Sequence, residues 1–91
     1  MAVSVRIPTI LRTYTGGASE VSAEGDTLAA VLEDLDASYS GIKGRILDEA
    51  GNLRRFVNVF VADDDVRYLD GTGTAVPDGE TISIIPAVAG G

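Results

Sequence analysis

The sequence contains no cysteine and no histidine among its 91 residues. Disulfide bonds, thiolate nucleophiles, iron–sulfur ligation and the usual zinc sites are therefore excluded, because each needs one of these two side chains. The commonest general base at neutral pH is missing as well. These absences argue against an enzyme that carries its own catalytic side chains.

Long apolar runs and basic residues are also scarce. No stretch approaches the roughly 18 apolar residues of a membrane span, and residues 1–6 lack the basic start of a signal peptide. We therefore expect a cytoplasmic protein without a membrane partner. Seven basic residues stand against 14 acidic ones, a net charge of −7. This balance disfavours nucleic-acid binding and suits either solubility alone or a basic face on a protein partner.

The first strand is predicted from Val3, Val5 and Ile7, which alternate with polar residues as in a strand with one buried face. Gly16-Gly17 is a turn signal, and residues 18–23 are the predicted return strand. The connection from Thr9 to Gly17 is long for a hairpin, so we expect a loose loop there.

An amphipathic helix is predicted from about Thr27 to Ser38. Its N-cap is expected to be Asp26, with Thr27 as the alternative. Apolar residues recur at helical spacing along one stripe: Leu28, Val31, Leu32, Leu35 and Tyr39. Ser40-Gly41 ends the helix, and residues 42–48 are expected to add one irregular turn anchored by Ile46 and Leu47.

A strongly apolar strand is predicted over residues 55–61. Val57, Val59 and Val61 form one face, which we expect to point toward the helix. Phe56 and Phe60 lie on the other face, either packed under a loop or exposed as a docking patch for a partner.

The remaining elements are short. Asp63-Asp64-Asp65 is predicted to be a hairpin turn, because it lacks the ligand spacing of a calcium loop. Residues 66–69 are predicted to form a short edge strand. Pro77-Asp78-Gly79-Glu80 is a turn signature, and Thr81 to Ile85 is the closing strand.

This order of elements predicts an α+β protein with the β-grasp (ubiquitin-like) fold. We expect a mixed sheet of four to five strands, with one main helix packed on one face. A right-handed crossover would bring both the strand at 55–61 and the closing strand alongside the first strand. The predicted domain covers residues 1–86, followed by a flexible tail at 87–91.

The tail holds the candidate site. The chain runs Pro86-Ala87-Val88-Ala89-Gly90-Gly91 directly after the closing strand. Glycine has no Cβ, so such a stalk can enter a channel too narrow for side chains. Its five residues after Pro86 reach at most about 17 Å. A frayed terminus without a role is the plainer alternative.

Several segments together resemble the ubiquitin-like sulfur carriers of the ThiS/MoaD family. They are Gly25-Asp26-Thr27-Leu28, residues 57–61, Asp78-Gly79-Glu80 and, above all, residues 84–91. Within that family the sequence is most similar to the CysO-type carriers of actinobacteria, through residues 4–12 and Thr15-Gly16-Gly17. The tail lacks the arginines that precede Gly-Gly in ubiquitin itself, which counts against conjugation as the main role.

The resemblance implies a carrier that is a co-substrate of partner enzymes. An E1-like adenylyltransferase and sulfurtransferase would use ATP to activate Gly91, and a sulfur donor would convert it to a thiocarboxylate. Val88, Ala89 and Gly90 would enter the partner's active site, and the carrier itself would bind no cofactor and no metal. The resemblance further implies a sulfur-accepting synthase, either of the PLP-dependent cysteine synthase type or of the biosynthesis of a thio-containing cofactor or natural product, and a releasing metalloprotease.

Two alternatives remain open at this point. The first is a protein modifier that forms isopeptide bonds through Gly91. The second is a non-covalent β-grasp binding module that uses the Phe56 and Phe60 face or an exposed edge strand. The second alternative tolerates loss of Gly90-Gly91, whereas carriage and conjugation do not.

Overall fold

A single mixed sheet organises the chain. The computed structural model describes residues 2–55 and 57–86. The strands are β1 (Ala2–Arg6), β2 (Glu20–Glu24), β3 (Val57–Val61), β4 (Asp64–Asp65) and β5 (Thr81–Pro86), and the α-helices are α1 (Leu28–Ser38) and α2 (Lys43–Ile46). Short 3-10 helices cover Thr9–Leu11, Val66–Tyr68 and Gly71–Gly73. The five strands lie in the order β2-β1-β5-β3-β4.

The closing strand β5 occupies the middle of this sheet. It pairs in parallel with β1, where Val5 lies opposite Ile82, and antiparallel with β3, where Val59 lies opposite Ile84. The prediction that both strands would lie alongside β1 was therefore half wrong: β5 does, whereas β3 lies beyond it. The prediction of a mixed sheet with one main helix is confirmed.

Helix α1 covers one face of the sheet through its apolar stripe. Leu28, Val31, Leu32 and Leu35 are buried, and Tyr39 packs against them from the helix end, as predicted. The residues that face them from the sheet occupy every second position along their strands: Val3, Val5, Ala23, Val59, Val61, Ile82 and Ile84. Burial of these apolar surfaces, at roughly 25 cal/mol per Å², stabilises the fold.

The helix begins one residue later than the preferred prediction. Thr27 is the N-cap, and its hydroxyl accepts a hydrogen bond from the Ala30 N–H at 3.2 Å. Asp26 was the wrong choice because its backbone serves another purpose: its carbonyl accepts from the Val76 N–H at 2.9 Å. That bond lies beside the bridge between Thr27 and Ala75, which holds Thr27 in the extended conformation of a cap.

The connection between β1 and β2 is more ordered than expected. It contains the 3-10 helix Thr9–Leu11, and Leu11 is buried in the core. Thr15 is also buried, and its hydroxyl lies 2.9 Å from the Ala18 carbonyl, to which it donates. The expectation of a loose loop was wrong because an apolar side chain and a satisfied hydroxyl fix this segment.

Helix α2 fulfils the expectation of one irregular turn after α1. Ile46 and Leu47 are buried as predicted, and Ile42 is buried beside them. Gly41, with φ of +94°, lies in the connection between the two helices, where glycine tolerates a backbone conformation that other residues rarely adopt.

The segment after β3 differs from the prediction. The hairpin turn is Ala62-Asp63, with Ala62 at φ +56°, and the next two aspartates form β4 instead of the turn. Residues 66–68 form a 3-10 helix rather than an edge strand. The cause is the Asp65 carboxylate, which accepts from the Arg67 N–H at 2.9 Å and so favours the helical turn.

Within the part of the chain that the structure describes, no helix is long and apolar enough to cross a membrane. The predicted tail at 87–91 lies outside the described residues, so the boundary at residue 86 stays a prediction.

Candidate functional site at the end of the last strand

The root of the tail is held in the sheet. Pro86, the last described residue of β5, lies opposite Val57, the first residue of β3. The preceding Ile84 is 3% exposed and anchors the strand in the core. Whatever follows Pro86 is therefore attached to a fixed point in the middle of the sheet and not to a loop.

Most residues predicted for the site fall beyond this root. Val88, Ala89, Gly90 and Gly91 lie outside the described residues, and so does Phe56. Their assignments as the thiocarboxylate position, the inserted tail and part of a docking face stay predictions.

Phe60 is placed on the sheet face opposite α1, as predicted. It is half-buried, and its neighbours across the sheet are Ser83 on β5 and Asp65 on β4. Ile85, diagonal to it on β5, is 47% exposed. With Ala62, Asp63 and Ser83 they line a shallow groove of about 220 Å³. We call Phe60 and Ile85 the open-face pair.

Sequence reasoning missed Ile85 as a surface residue. Its signal was present in the period-two pattern of β5, because Ile82 and Ile84 occupy the buried positions. Ile85 then falls on the solvent side with Thr81 and Ser83. Ile85 is an apolar residue at a position that the strand pattern assigns to the solvent side, and an exposed apolar residue of this kind is the informative observation.

A second group of side chains, which come from other segments of the chain, lies near the tail root. Arg67 donates from Nη1 to the Asn58 Oδ1 at 2.5 Å and from Nη2 to the Arg54 carbonyl at 2.7 Å. Arg54 in turn donates from Nε to the Gly44 carbonyl at 2.9 Å. These bonds tie the 3-10 helix at 66–68, the start of β3 and α2 together beside Pro86.

A groove of about 530 Å³ lies at the same end of the molecule. Its lining combines apolar, aromatic and cationic side chains: Ile10, Leu11, Thr13, Tyr14, Arg45 and Arg54. We call it the arginine groove. Arg45 donates from Nε to the Tyr14 hydroxyl at 2.6 Å, and this hydrogen bond raises the pKa of Arg45 above its ordinary value.

The arginine groove was not predicted because its members are far apart in the sequence. Residues 10–14, Arg45 and Arg54 meet only when β1, α2 and the approach to β3 converge. No local sequence motif indicates such a site. The one available signal was that basic residues are few, so any cluster of them is informative.

The side chains described here can bind another molecule through hydrogen bonds and apolar contacts. The arginines hold carbonyl, amide and phenol oxygens, and the open-face pair offers apolar surface. Over residues 2–55 and 57–86, no group of three or more acidic side chains is arranged to hold a metal ion.

Comparison with known proteins agrees with this geometry. The sequence profile of the ThiS family matches residues 5–91. The sulfur carrier protein CysO of Mycobacterium tuberculosis is 57% identical over 93 residues, with all of both chains covered. Its crystal structure superposes with a TM-score of 0.91, covering 94% of this chain and 99% of that one.

Two further relatives extend the comparison. CysO of Amycolatopsis orientalis, solved in a BexX/CysO complex, has a TM-score of 0.93 at 49% identity and covers 98% of this chain and 99% of its own. Small archaeal modifier protein 3 of Haloferax volcanii is 42% identical over 65 residues, which are 71% of this chain and 70% of the relative.

The family match, the full-length identity and the shared β-grasp fold agree with one another. The chain belongs to the ThiS family, and it is a sulfur carrier protein rather than a catalytic enzyme.

Proposed function

We propose that Gly91 is the residue on which this carrier holds sulfur. The observation that carries the proposal is the position of β5: this central strand pairs with β1 over its first half and with β3 as far as Pro86, and five small residues follow it in the sequence. A fixed root with a thin extension is what a partner's active site needs in order to receive a main-chain carboxylate.

The proposed chemistry starts from an unreactive group. A terminal carboxylate has a pKa of roughly 3.5, so it is ionised at neutral pH and resists nucleophiles. An E1-like enzyme would let a carboxylate oxygen attack the α-phosphorus of ATP, which releases pyrophosphate and forms an acyl adenylate. A sulfide-level nucleophile then attacks the acyl carbon, AMP leaves, and the C–S bond of a thiocarboxylate is formed.

The thiocarboxylate suits delivery of sulfur. Its sulfur is anionic near neutral pH, and anionic sulfur is the reactive nucleophile. The carrier needs no base of its own, in keeping with a sequence without histidine or cysteine. Val88, Ala89 and Gly90 would thread the channel, and a reach of at most about 17 Å keeps the folded body at its mouth.

We propose that the acceptor is a biosynthetic enzyme that takes the sulfur from Gly91. We propose a PLP-dependent cysteine synthase acting on O-phosphoserine as this acceptor, followed by a metalloprotease that releases the product; the 57% identity to a protein named sulfur carrier protein CysO supports the sulfur-carrying role itself. The BexX/CysO complex supports the more general point that such carriers bind their partner enzymes directly. The carrier would act in the cytoplasm, where its partner's ATP is available.

Intact mass spectrometry tests the central step. The purified chain is incubated with its adenylating enzyme, ATP and sulfide, and its mass is then measured. We expect the gain produced by replacing one oxygen with sulfur, abolished by iodoacetamide treatment in favour of the alkylated adduct. Absence of that gain, with an enzyme that turns over ATP on this chain, contradicts the proposal.

Two variants locate the sulfur. Deletion of Gly91, or extension of the chain by one residue, should abolish the gain and leave the circular dichroism spectrum unchanged. The fold is expected to persist because the described core ends at Ile84. Val88→Ala serves as the matched control, since it alters the tail without moving the carboxylate, and it should still gain sulfur.

Conjugation is the second candidate, favoured by the identity to an archaeal modifier protein. The first step would be the same acyl adenylate at Gly91, after which a lysine amine on another protein replaces AMP and forms an isopeptide bond. Affinity capture of tagged carrier from cells distinguishes the two functions. Isopeptide adducts identified by peptide mass spectrometry support conjugation, whereas recovery of free carrier and thiocarboxylate alone contradicts it.

A further inference from the structure

The acidic turns and most of the arginines of this molecule lie at opposite ends. The turns at residues 24–27, 62–65 and 77–80 contain acidic residues and no lysine or arginine. Backbone hydrogen bonds gather these turns at one end of the sheet, since the Gly79 N–H donates to the Ala2 carbonyl and the Ala62 N–H to the Thr81 carbonyl. This acidic end lies at the start of β5, opposite the tail root.

The other end carries three arginine-bearing segments, although Asp48 and Glu49 lie in the turn between two of them and Lys43 is paired with Glu33. The segments 7–18, 41–47 and 53–60 contain arginines and one lysine but no acidic residue. They converge beside Pro86, because β1 and β5 run parallel and Val57 lies opposite Pro86. The main basic surface of a chain with net charge −7 is thus placed where the tail leaves the domain.

The arginine groove is the most developed part of this surface. It is within reach of the tail root, since Arg54 precedes Val57 by three residues, or at most about 11 Å of chain. Ile10 projects from its rim and is 67% exposed. Arginine, tyrosine and exposed aliphatic side chains together are the composition typical of protein interfaces.

The arginines retain binding capacity. Arg45 uses Nε on the Tyr14 hydroxyl, and Arg54 uses Nε on the Gly44 carbonyl. Each guanidinium has five N–H donors, and the terminal nitrogens of both side chains have no hydrogen-bond partner among residues 2–55 and 57–86. Across the described residues their hydrogen-bond partners are neutral oxygens, so no carboxylate compensates these two charges.

We propose that the arginine groove docks an acidic surface that borders the tail channel of the adenylating enzyme. The proposal rests on the proposed function, because that function requires a partner that receives the tail. Contact at the groove would fix the orientation of the domain while the tail enters. The acidic end would face away, and its charge would oppose the reversed approach.

A protein surface fits this groove better than a nucleic acid or a free phosphate. The charges are spread along an open groove with an exposed isoleucine, whereas a phosphate site gathers donors around one point. The net charge of −7 repels polyanions at long range. A compact acidic patch on a folded partner would instead contact only the basic end of this molecule and would stay away from its acidic end.

Equilibrium binding to the purified adenylating enzyme, measured by calorimetry without ATP, tests the proposal. We expect the double variant Arg45→Gln/Arg54→Gln to raise Kd about tenfold or more. Binding of the unaltered chain should weaken as salt rises, and the variant should lose much of that salt dependence. The single variant Arg45→Gln, at an exposed position, guards against a folding defect at Arg54.

The matched control is Ala2→Glu/Ala75→Glu, which changes the net charge by the same amount at exposed positions near the acidic end, since the Ala2 carbonyl accepts from the Gly79 N–H and Ala75 is bridged to Thr27. It should leave Kd within about twofold, well below the tenfold step that 1.4 kcal/mol represents. Equal weakening by both double variants would attribute the effect to net charge and overturn the proposal. Unchanged Kd in the arginine variants would overturn it as well, while normal sulfur loading of the same samples would leave the proposed function standing.

Discussion

The two isoleucines at the end of β5 are neighbours in sequence and opposites in setting. Ile84 is 3% exposed and faces α1, whereas Ile85 is 47% exposed and faces away from it. The covered face holds the fold together, whereas the open face is in contact with solvent. Because strand side chains alternate, one strand supplies both surfaces within a single step along the chain.

The largest expected difference in stability lies between these two positions. Ile84→Ala should lower the free energy of unfolding by about 2–5 kcal/mol, because it leaves a cavity in the core. Ile85→Ala should change it by about 0.5 kcal/mol or less. Urea unfolding with unchanged m-values measures both. Equal losses of stability in the two variants would contradict the division between a covered and an open face. Weaker binding to the adenylating enzyme by Ile85→Ala alone would support that division further.

The covered face also depends on Gly25, which allows α1 to approach the sheet. Gly25 has φ of +155°, and a Cβ there would lie 2.6 Å from the Val31 nitrogen and 2.8 Å from the Ala30 carbonyl carbon. Gly25→Ala should therefore cost more than the roughly 1 kcal/mol of an unfavourable backbone conformation.

Gly16→Ala is the matched control for this prediction, with φ of +65° and no atom within 4 Å of its added Cβ. Gly16→Ala has the conformational penalty without the clash. Its Tm in thermal unfolding should therefore be higher than that of Gly25→Ala. The reverse order would mean that α1 does not approach the sheet as closely as described.

Thr27 provides a smaller test at the start of the same helix. Thr27→Ala removes the acceptor of the Ala30 N–H and should cost about 1 kcal/mol. Thr27→Ser keeps the hydroxyl and should cost less, and Asp26→Asn should have little effect because Asp26 is not the cap. Denaturant unfolding compares the three, and a larger loss from Asp26→Asn would restore Asp26 as the cap.

The smallest expected effect is at the surface. The pKa of Lys43 is raised above 10.5, mainly by its hydrogen bond to Glu33. A raised pKa in the folded state stabilises below pH 10.5, and this contribution disappears as pH rises through the folded value. NMR titration should show Glu33→Gln returning the Lys43 pKa toward 10.5, with Glu49→Gln as the unaffected control.

Features set by periodicity could be predicted from the sequence. The α1 stripe and the inward valines of β3 follow from spacings of 3.6 and two, and both are where the sequence places them. The cap could not be assigned with the same success, because a bond from Val76, fifty residues away in the chain, decides the role of Asp26. Propensity alone cannot detect such a partner.

The same limit explains the other differences. Residues 66–69 carry strand-forming side chains, but the Asp65 carboxylate turns their backbone into a 3-10 helix. The arginine groove depends on three segments that meet only in the folded chain. The tail is the reverse case, since its role is predicted from a Gly-Gly end that follows the closing strand and Pro86, and these positions stay predictions.

The parallel pairing of β1 and β5 has a mechanical consequence. Ala2 begins one strand and Pro86 ends its neighbour, so force applied to the two termini loads the hydrogen bonds between these strands in shear. Bonds loaded in shear must rupture together, whereas bonds peeled from one end rupture singly. We expect the domain to withstand a pull on its tail better than a pull across the β1–β2 hairpin, a difference that single-molecule force spectroscopy resolves.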